Sequence, residues 1–397
     1  MTATFPRDPF FKHQAACLRA FTIVFLCLGL AACGERPDLG ALALNDAPAP
    51  GARVTDIMIV TTRDKDATPD TYFGGERGQA IGYAEASISV PPDHEPGQIE
   101  WPNSFPGDPE KNFVTRKAGY IADKASFTNE INRRLAAKPR DEREIFVFIH
   151  GYNTRFPEAL YRFTQIIHDS EFSGVPVLFT WASRGKVQDY VYDLNSAAIA
   201  RQALEQTLIQ LSNTRAEKIT ILAHSMGNWL LMETAVQASP NDRRKMTRKI
   251  DEVILAAPDI DIDLFKAQLK KLGRPPKPYI VIVSRDDRAL RLSRAIAGGK
   301  ERVGAFSDDK ELTELGAVVV DLTELDAQDG SHHSKFAQLA QFQPQLRKTL
   351  GQSSLTRSVN RGNAGTVGDD LGNLVGNTIA LPVRIIAAPF NYAGGGT

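Results

Sequence analysis

From Glu144 onward the chain alternates short apolar runs with amphipathic stretches of helical length. The runs Ile145–Ile149, Val175–Trp181, Ile219–Leu222, Val253–Ala257, Tyr279–Ser284 and Ala317–Asp321 are rich in β-branched residues. They are also nearly free of polar positions, as strands buried on both faces must be. Between them, Pro157–Ser170, Tyr190–Leu211, Asn228–Ala238 and Arg288–Ala297 carry apolar residues at helical spacing. Repeated strand–helix–strand units require right-handed crossovers and give a parallel sheet covered by helices on both faces. Upstream, Asp56–Thr62 and Ile81–Val90 read as two strands with no helix-length segment between them, hence an antiparallel pair. Residues 91–119 are rich in Pro, Gly and Asn and read as a long surface loop, and Ala122–Ala137 fits a helix. The count is about eight strands, mostly parallel.

The two ends differ from this body. Lys12 and Arg19 precede the apolar run Ala20–Leu30, which has the length of a signal-peptide core and is short for a membrane span. It closes on Leu30-Ala31-Ala32-Cys33, which resembles a bacterial lipobox. That resemblance implies removal of residues 1–32 and acylation of Cys33. Gly34 after the cysteine implies outer-membrane sorting, with the protein facing the periplasm. Residues 33–53, rich in Pro, Ala and Gly, read as a flexible tether, and 54–350 as the folded domain. Residues 351–397 are a Gly/Asn-rich tail, expected to be partly disordered with at most one short helix, and too interrupted to span a membrane.

Composition narrows the function classes. Of 397 residues, 47 are basic and 47 acidic, so nothing electrostatic points to nucleic acid. The cysteines, at 17, 27 and 33, all lie near the N-terminus, which leaves the body without a disulfide or a thiolate metal site.

The chemistry centres on Ile219-Thr220-Ile221-Leu222-Ala223-His224-Ser225-Met226-Gly227. A strand that turns at once into a helix with a serine at the apex is a nucleophile elbow; Gly227 supplies the small residue the turn needs, and Ala223 stands where the usual G-x-S-x-G has its first glycine. Serine needs a base, an orienting acid and oxyanion donors. Architectures with this elbow place them in the chain order nucleophile, acid, histidine. Asp286 and Asp287 follow the strand Tyr279–Ser284, and Asp259 follows Val253–Ala257, so all three are candidate acids. His332 and His333 follow the last strand and are the candidate bases. The turn Phe148-Ile149-His150-Gly151-Tyr152-Asn153 closes the third strand. The N–H groups of Tyr152 and Met226 are then the expected oxyanion hole, with His150 a structural residue rather than a base.

The A-H-S-M-G elbow, the F-I-H-G-Y-N turn and Phe179-Thr180-Trp181-Ala182-Ser183-Arg184-Gly185 followed by Tyr190, Asp193 and Ser196 resemble the DUF900 family of α/β-hydrolases. Thr61-Thr62-Arg63 and the Gly97-x-Ile99-Glu100-x-Pro102 loop extend the resemblance to about 55–340. It implies an α/β-hydrolase fold and an esterase- or lipase-like serine hydrolase. The spacing S-x-x-D-x-A-L favours Asp287 over Asp286 and Asp259, and G-H-S-x-F favours His333 over His332. Trp181 and Tyr190 fit either a pocket wall or the core. Such a reaction requires no metal and no organic cofactor, its partner being a small-molecule or lipid acyl substrate. The short connection Asp261–Pro278, with no long lid, favours small soluble esters. The rival expectation is a non-catalytic binding or envelope-scaffold lipoprotein that keeps the fold.

Overall fold

Alternation within each strand decides how this chain packs. In β4 (Glu144–Ile149), Ile145, Val147 and Ile149 enter one apolar cluster while Phe146 and Phe148 enter another on the opposite side. The same division recurs in β5 (Val175–Thr180), where Val177 and Phe179 face one cluster and Leu178 the other. A strand buried on both faces carries no polar stripe, which is why these segments read as continuous apolar runs.

The computed structural model describes residues 36–37, 39–273, 275, 277–342 and 383–387. Beyond those two strands lie β1 (Arg53–Lys65), β2 (Phe73–Val90), β3 (Val114–Ile121), β6 (Lys218–His224), β7 (Ile250–Ala256), β8 (Tyr279–Val283), β9 (Ala317–Asp321) and β10 (Arg384–Ala387). They form one ten-stranded sheet in the order β10-β9-β8-β7-β6-β4-β5-β1-β2-β3. From β9 across to β1 all neighbours are parallel, and β2, β3 and β10 extend the two edges by antiparallel pairing.

The helices divide between the faces. One face is covered by α1 (Lys124–Ala136), α3 (Tyr190–Ser212), α4 (Met226–Gln237) and α6 (Ile262–Leu272), through residues such as Phe127, Leu204, Leu230 and Phe265. On the other lie α2 (Phe156–Asp169) and the short α9 (Lys335–Gln338), through Phe163, Ile167 and Phe336. Among the described residues the remaining α-helices are α5 (Pro240–Thr247), α7 (Arg288–Ile296) and α8 (Asp309–Glu314).

The strand count of eight is corrected to ten, for two local reasons. β3 begins inside the stretch expected as a loop and runs two residues beyond it; Arg116, Lys117 and the preceding Pro/Gly/Asn-rich segment hid its pairing with β2. β10 lies in the stretch expected as a tail with at most a helix; its four residues pair antiparallel with β9 through Ile385↔Val320. The expected flexible tether also meets the body earlier than its composition suggested. Leu42 is fully buried, and the Asn45 side chain donates to Gly107 O at 2.8 Å. The stretch expected to be a signal peptide, Cys33 and most of the expected tail lie outside the described residues.

Candidate active site

Ser225 stands between β6 and α4 with φ 54° and ψ −124°. A non-glycine residue held there stores about 1–3 kcal/mol of strain, tolerated only where the surroundings over-determine it. Here the surroundings are close. Ser225 N donates to Ala256 O at 3.0 Å, and its own carbonyl accepts from Asp259 N at 3.2 Å and from Asn228 N at 3.1 Å. A Cβ on Gly227 would lie 2.5 Å from His150 O and 2.6 Å from Ile149 O, and one on Gly151 would lie 2.6 Å from Ser225 Cβ. Both glycines are therefore set by the contact between the elbow and the β4 turn, whereas the elbow pattern in the sequence points only to Gly227.

That turn is held rigidly. Asp193 Oδ2 accepts from Asn153 N at 3.0 Å and from Ser183 Oγ at 2.5 Å, and Thr154 N donates to Ser183 Oγ at 2.9 Å. Burial raises the Asp193 pKa above its ordinary value, against the pull of these hydrogen bonds. The buried Arg63 guanidinium donates to Ser183 O and Thr154 O, both at 2.8 Å. Arg63 and Asp193, which entered only as parts of the family resemblance, are thus braces of the turn. Among the described residues no acceptor takes the N–H of Tyr152 or of Met226. Met226 is the first residue of α4, where a backbone N–H has no intrahelical partner. Two donors are left beside Ser225 for an anionic oxygen.

His150 lies within this network. Its Nδ1 faces Gly151 O at 2.8 Å, and its Nε2 faces Thr180 Oγ1 at 2.9 Å and accepts from Trp181 N at 3.2 Å. Burial and the nearby Arg63 charge pull its pKa down to about 3, so it stays neutral with its lone pair engaged. Trp181 is wholly buried, stacks on the His150 ring at 5.1 Å and donates Nε1–H to His150 O at 2.9 Å. That is core packing. Tyr190, 7% exposed, donates its hydroxyl to Asp259 at 3.2 Å.

The two histidines and two aspartates sort into two pairs. His333 Nδ1 meets Asp287 Oδ2 at 2.6 Å, with Asp287 wholly buried. His332 Nδ1 meets Asp286 Oδ2 at 2.7 Å, and both of these side chains are partly exposed. The other Asp287 oxygen accepts from Leu290 N at 2.9 Å, so one carboxylate both caps α7 and orients an imidazole. Asp286 is instead anchored by Lys335, whose buried ammonium donates to both its oxygens at 2.7 and 2.8 Å. Burial alone would raise the Asp286 pKa; hydrogen bonds from Lys335, Ser284 and His332 outweigh it and hold the carboxyl at about 2. Asp259 is turned to Ser293, Tyr190 and Arg302, and it hydrogen-bonds neither of the two histidines among the described residues.

His224 was overlooked because it occupies the variable position before the serine. Its ring lies 4.5 Å from that of His333 and stacks on Phe336 at 4.3 Å, and its Nε2 reaches His333 O at 3.3 Å. Burial, reinforced by the His333 charge, pushes its pKa well below the ordinary value, which leaves a neutral ring as the floor under His333.

With a carboxylate on Nδ1, the proton of neutral His333 sits there and Nε2 is the basic nitrogen. Neither Ser225 Oγ nor His333 Nε2 has a hydrogen-bond partner among the described residues. Burial lowers the His333 pKa, but the carboxylates of Asp287, Asp259 and Asp329, with Asp287 foremost, together raise it more, and the net lies above the ordinary 6.5. A protonated Nε2 cannot take a proton from serine. If His333 is the base, kcat/KM is therefore lost as pH falls through this raised pKa and reaches its plateau on the alkaline side. A pH profile with a short-chain nitrophenyl ester checks this; activity unchanged down to pH 5 would contradict it.

No curated protein matches the chain in sequence. Among solved structures, an acetyl xylan esterase is 15% identical over 52% of this chain and 98% of its own, with a TM-score of 0.29. Esterase B from Lactobacillus rhamnosis, inhibited by a tributyrin phosphonate, is 11% identical over 90% of this chain and 100% of its own, with a TM-score of 0.34. A fungal esterase from Rhizomucor miehei is 15% identical over 77% of this chain and 82% of its own, with a TM-score of 0.31. The model of the family described as "Alpha/beta hydrolase of unknown function (DUF900)" matches residues 123–350, a span that holds the elbow, the β4 turn and both His–Asp pairs. With parallel strands, crossover helices and a strand–serine–helix turn in that order, this chain belongs to the DUF900 family of α/β-hydrolases.

Proposed function

We propose that the protein is a serine hydrolase of carboxylic esters or related acyl bonds, carried on a lipidated Cys33 in the bacterial envelope. The observation that carries this reading is the pair of His333 with the buried Asp287, which like the strained Ser225 lie beyond the C-terminal ends of the parallel strands, with two unengaged N–H groups beside the serine. Ser225 Oγ attacks the acyl carbon as His333 Nε2 takes its proton, and Asp287 stabilises the imidazolium. The tetrahedral oxyanion is received by the N–H groups of Tyr152 and Met226. Collapse expels the alcohol, which takes the proton back from His333. Water, deprotonated by the same nitrogen, then releases the acid and restores the serine. No metal or organic cofactor takes part in these steps. The Asp261–Pro278 connection, largely taken up by α6, leaves no long lid and favours small esters over long-chain lipid. Turnover of triglyceride emulsion without turnover of short-chain esters would reverse that preference.

A fluorophosphonate probe applied to membrane fractions tests the reading as a whole. Wild type is expected to label in the membrane fraction and Ser225→Ala to remain unlabelled. Cys33→Ser should still label, but as an unprocessed or released form. A wild type that never labels while folded removes the serine mechanism, and a Cys33→Ser variant that still takes up fatty acid removes the anchor.

A further inference from the structure

The Gly97-x-Ile99-Glu100-x-Pro102 loop takes no part in the proposed reaction, yet it is bound to the body by a dense polar cluster. Its centre is His94. The ring nitrogens of His94 lie 2.8 Å from Glu100 Oε2 and 2.8 Å from Asp169 Oδ1, and its side chain is 4% exposed. His168 stands edge-on to it, the ring centroids 5.1 Å apart and the planes at 89°. One ligand atom from each of His94, His168 and Asp169 falls within 4.8 Å of the others, a grouping that occurs once among the described residues. The cluster is at the end of α2, whose 14 residues run about 21 Å back from the β4 turn. It is therefore separate from Ser225.

We propose that His94 Nε2, His168 and Asp169 Oδ1 form a binding site for a zinc-class divalent cation, a structural staple between the 91–102 loop and α2. Two imidazoles and one carboxylate are the donor set that late first-row ions prefer, whereas calcium and magnesium seek oxygen cages. Four-coordinate zinc with ligands at about 2.0–2.1 Å sets donor atoms about 3.3 Å apart. Binding would draw the ligand atoms in from their present spacing of up to 4.8 Å. The outer shell is already built. Glu100 holds His94 Nδ1, as carboxylates do behind metal-bound histidines, and is itself held by Glu95 N on Oε1 at 3.0 Å. Asp169 Oδ2 is occupied by Gly97 N at 2.7 Å and Gln165 Nε2 at 2.5 Å, and Oδ1 accepts from His94 Nε2 at 2.8 Å; an entering ion takes the place of that Nε2 proton, which is released to water. His168 is half-buried and is the one member of the cluster that lines a cavity of about 620 Å³, shared with Glu171 and Arg53. The expectation that no metal is present rested on missing thiolates and on the reaction; this donor set needs neither.

The test is zinc binding by full-length protein stripped with chelator, followed by calorimetric titration and by elemental analysis after gel filtration. Wild type is expected to retain one zinc ion per chain and to melt at a higher temperature with it. His168→Ala should lose at least 100-fold in affinity and the melting shift, and Glu100→Gln should lose roughly 10–100-fold. His332→Ala should keep the ion, since the active-site histidines are elsewhere. His94→Gln removes the central ligand, and if that variant does not fold, His168→Ala alone decides. Two outcomes overturn the proposal. No stoichiometric binding by wild type would make the cluster a hydrogen-bonded His–carboxylate staple. An ion retained by His168→Ala with unchanged affinity would place it on other residues.

Discussion

Replacing Ser225 by alanine is expected to lower short-chain ester turnover by a factor on the order of 10⁶, because loss of the nucleophile removes the whole acyl-transfer route. Oxyanion donors and binding leave a residual acceleration over water of roughly 10³–10⁴-fold. The fold should be indifferent to the change. Ser225 Oγ has no hydrogen-bond partner among the described residues, so its removal orphans no buried group. The backbone bonds to Ala256 O and from Asp259 N and Asn228 N do not involve the side chain. The check is turnover of a nitrophenyl ester beside circular dichroism and a melting curve. Folded Ser225→Ala with wild-type turnover would end the serine mechanism.

The two His–Asp pairs should behave very differently. His333→Ala and Asp287→Asn are expected to lower kcat by about 10⁴-fold or more with little change in KM, since both act on the proton that moves in the transition state. Asp287→Asn also weakens the cap of α7 at Leu290, so its melting temperature should fall as well. His332→Ala should cost about tenfold or less, under about 1.4 kcal/mol of barrier. Asp286→Asn should act mainly on stability, because Lys335 then keeps a buried ammonium with only Leu322 O, Thr323 O and a weaker acceptor. Four kinetic profiles with matched melting curves decide the matter. A dead His332→Ala beside an active His333→Ala would move the base by one residue. Full activity in all four would dissolve the triad.

The parallel body was legible because strands buried on both faces leave an unmistakable apolar run, and the elbow because its strand, serine and glycine are contiguous. The pairing of 333 with 287 and of 332 with 286 was legible only as a choice. Adjacent residues offer the same chemistry, and their side chains diverge in space rather than in sequence. Other features depend on partners far along the chain. The double duty of Asp287 needs both β8 and the loop before α9. Gly151 is fixed by a Cβ contact to Ser225 across 74 positions, and His224 matters only once Phe336 and His333 fold over it. β3 and β10 went unseen for a related reason. Edge strands have one neighbour and a partly exposed face, so their composition is not forced to be apolar.

The last of these strands covers an edge that would otherwise be open. β9 reads Ala-Val-Val-Val-Asp, and on the side away from β8 its backbone is engaged by Arg384–Ala387. A chain cut after Phe342 would keep the elbow and both His–Asp pairs, yet it would uncover a bare valine-rich edge. Unpaired N–H and C=O groups on such an edge are a template for a second copy, and short flat valine segments stack readily. Self-association of shortened forms would then reflect a missing border strand, with the chemistry at Ser225 untouched.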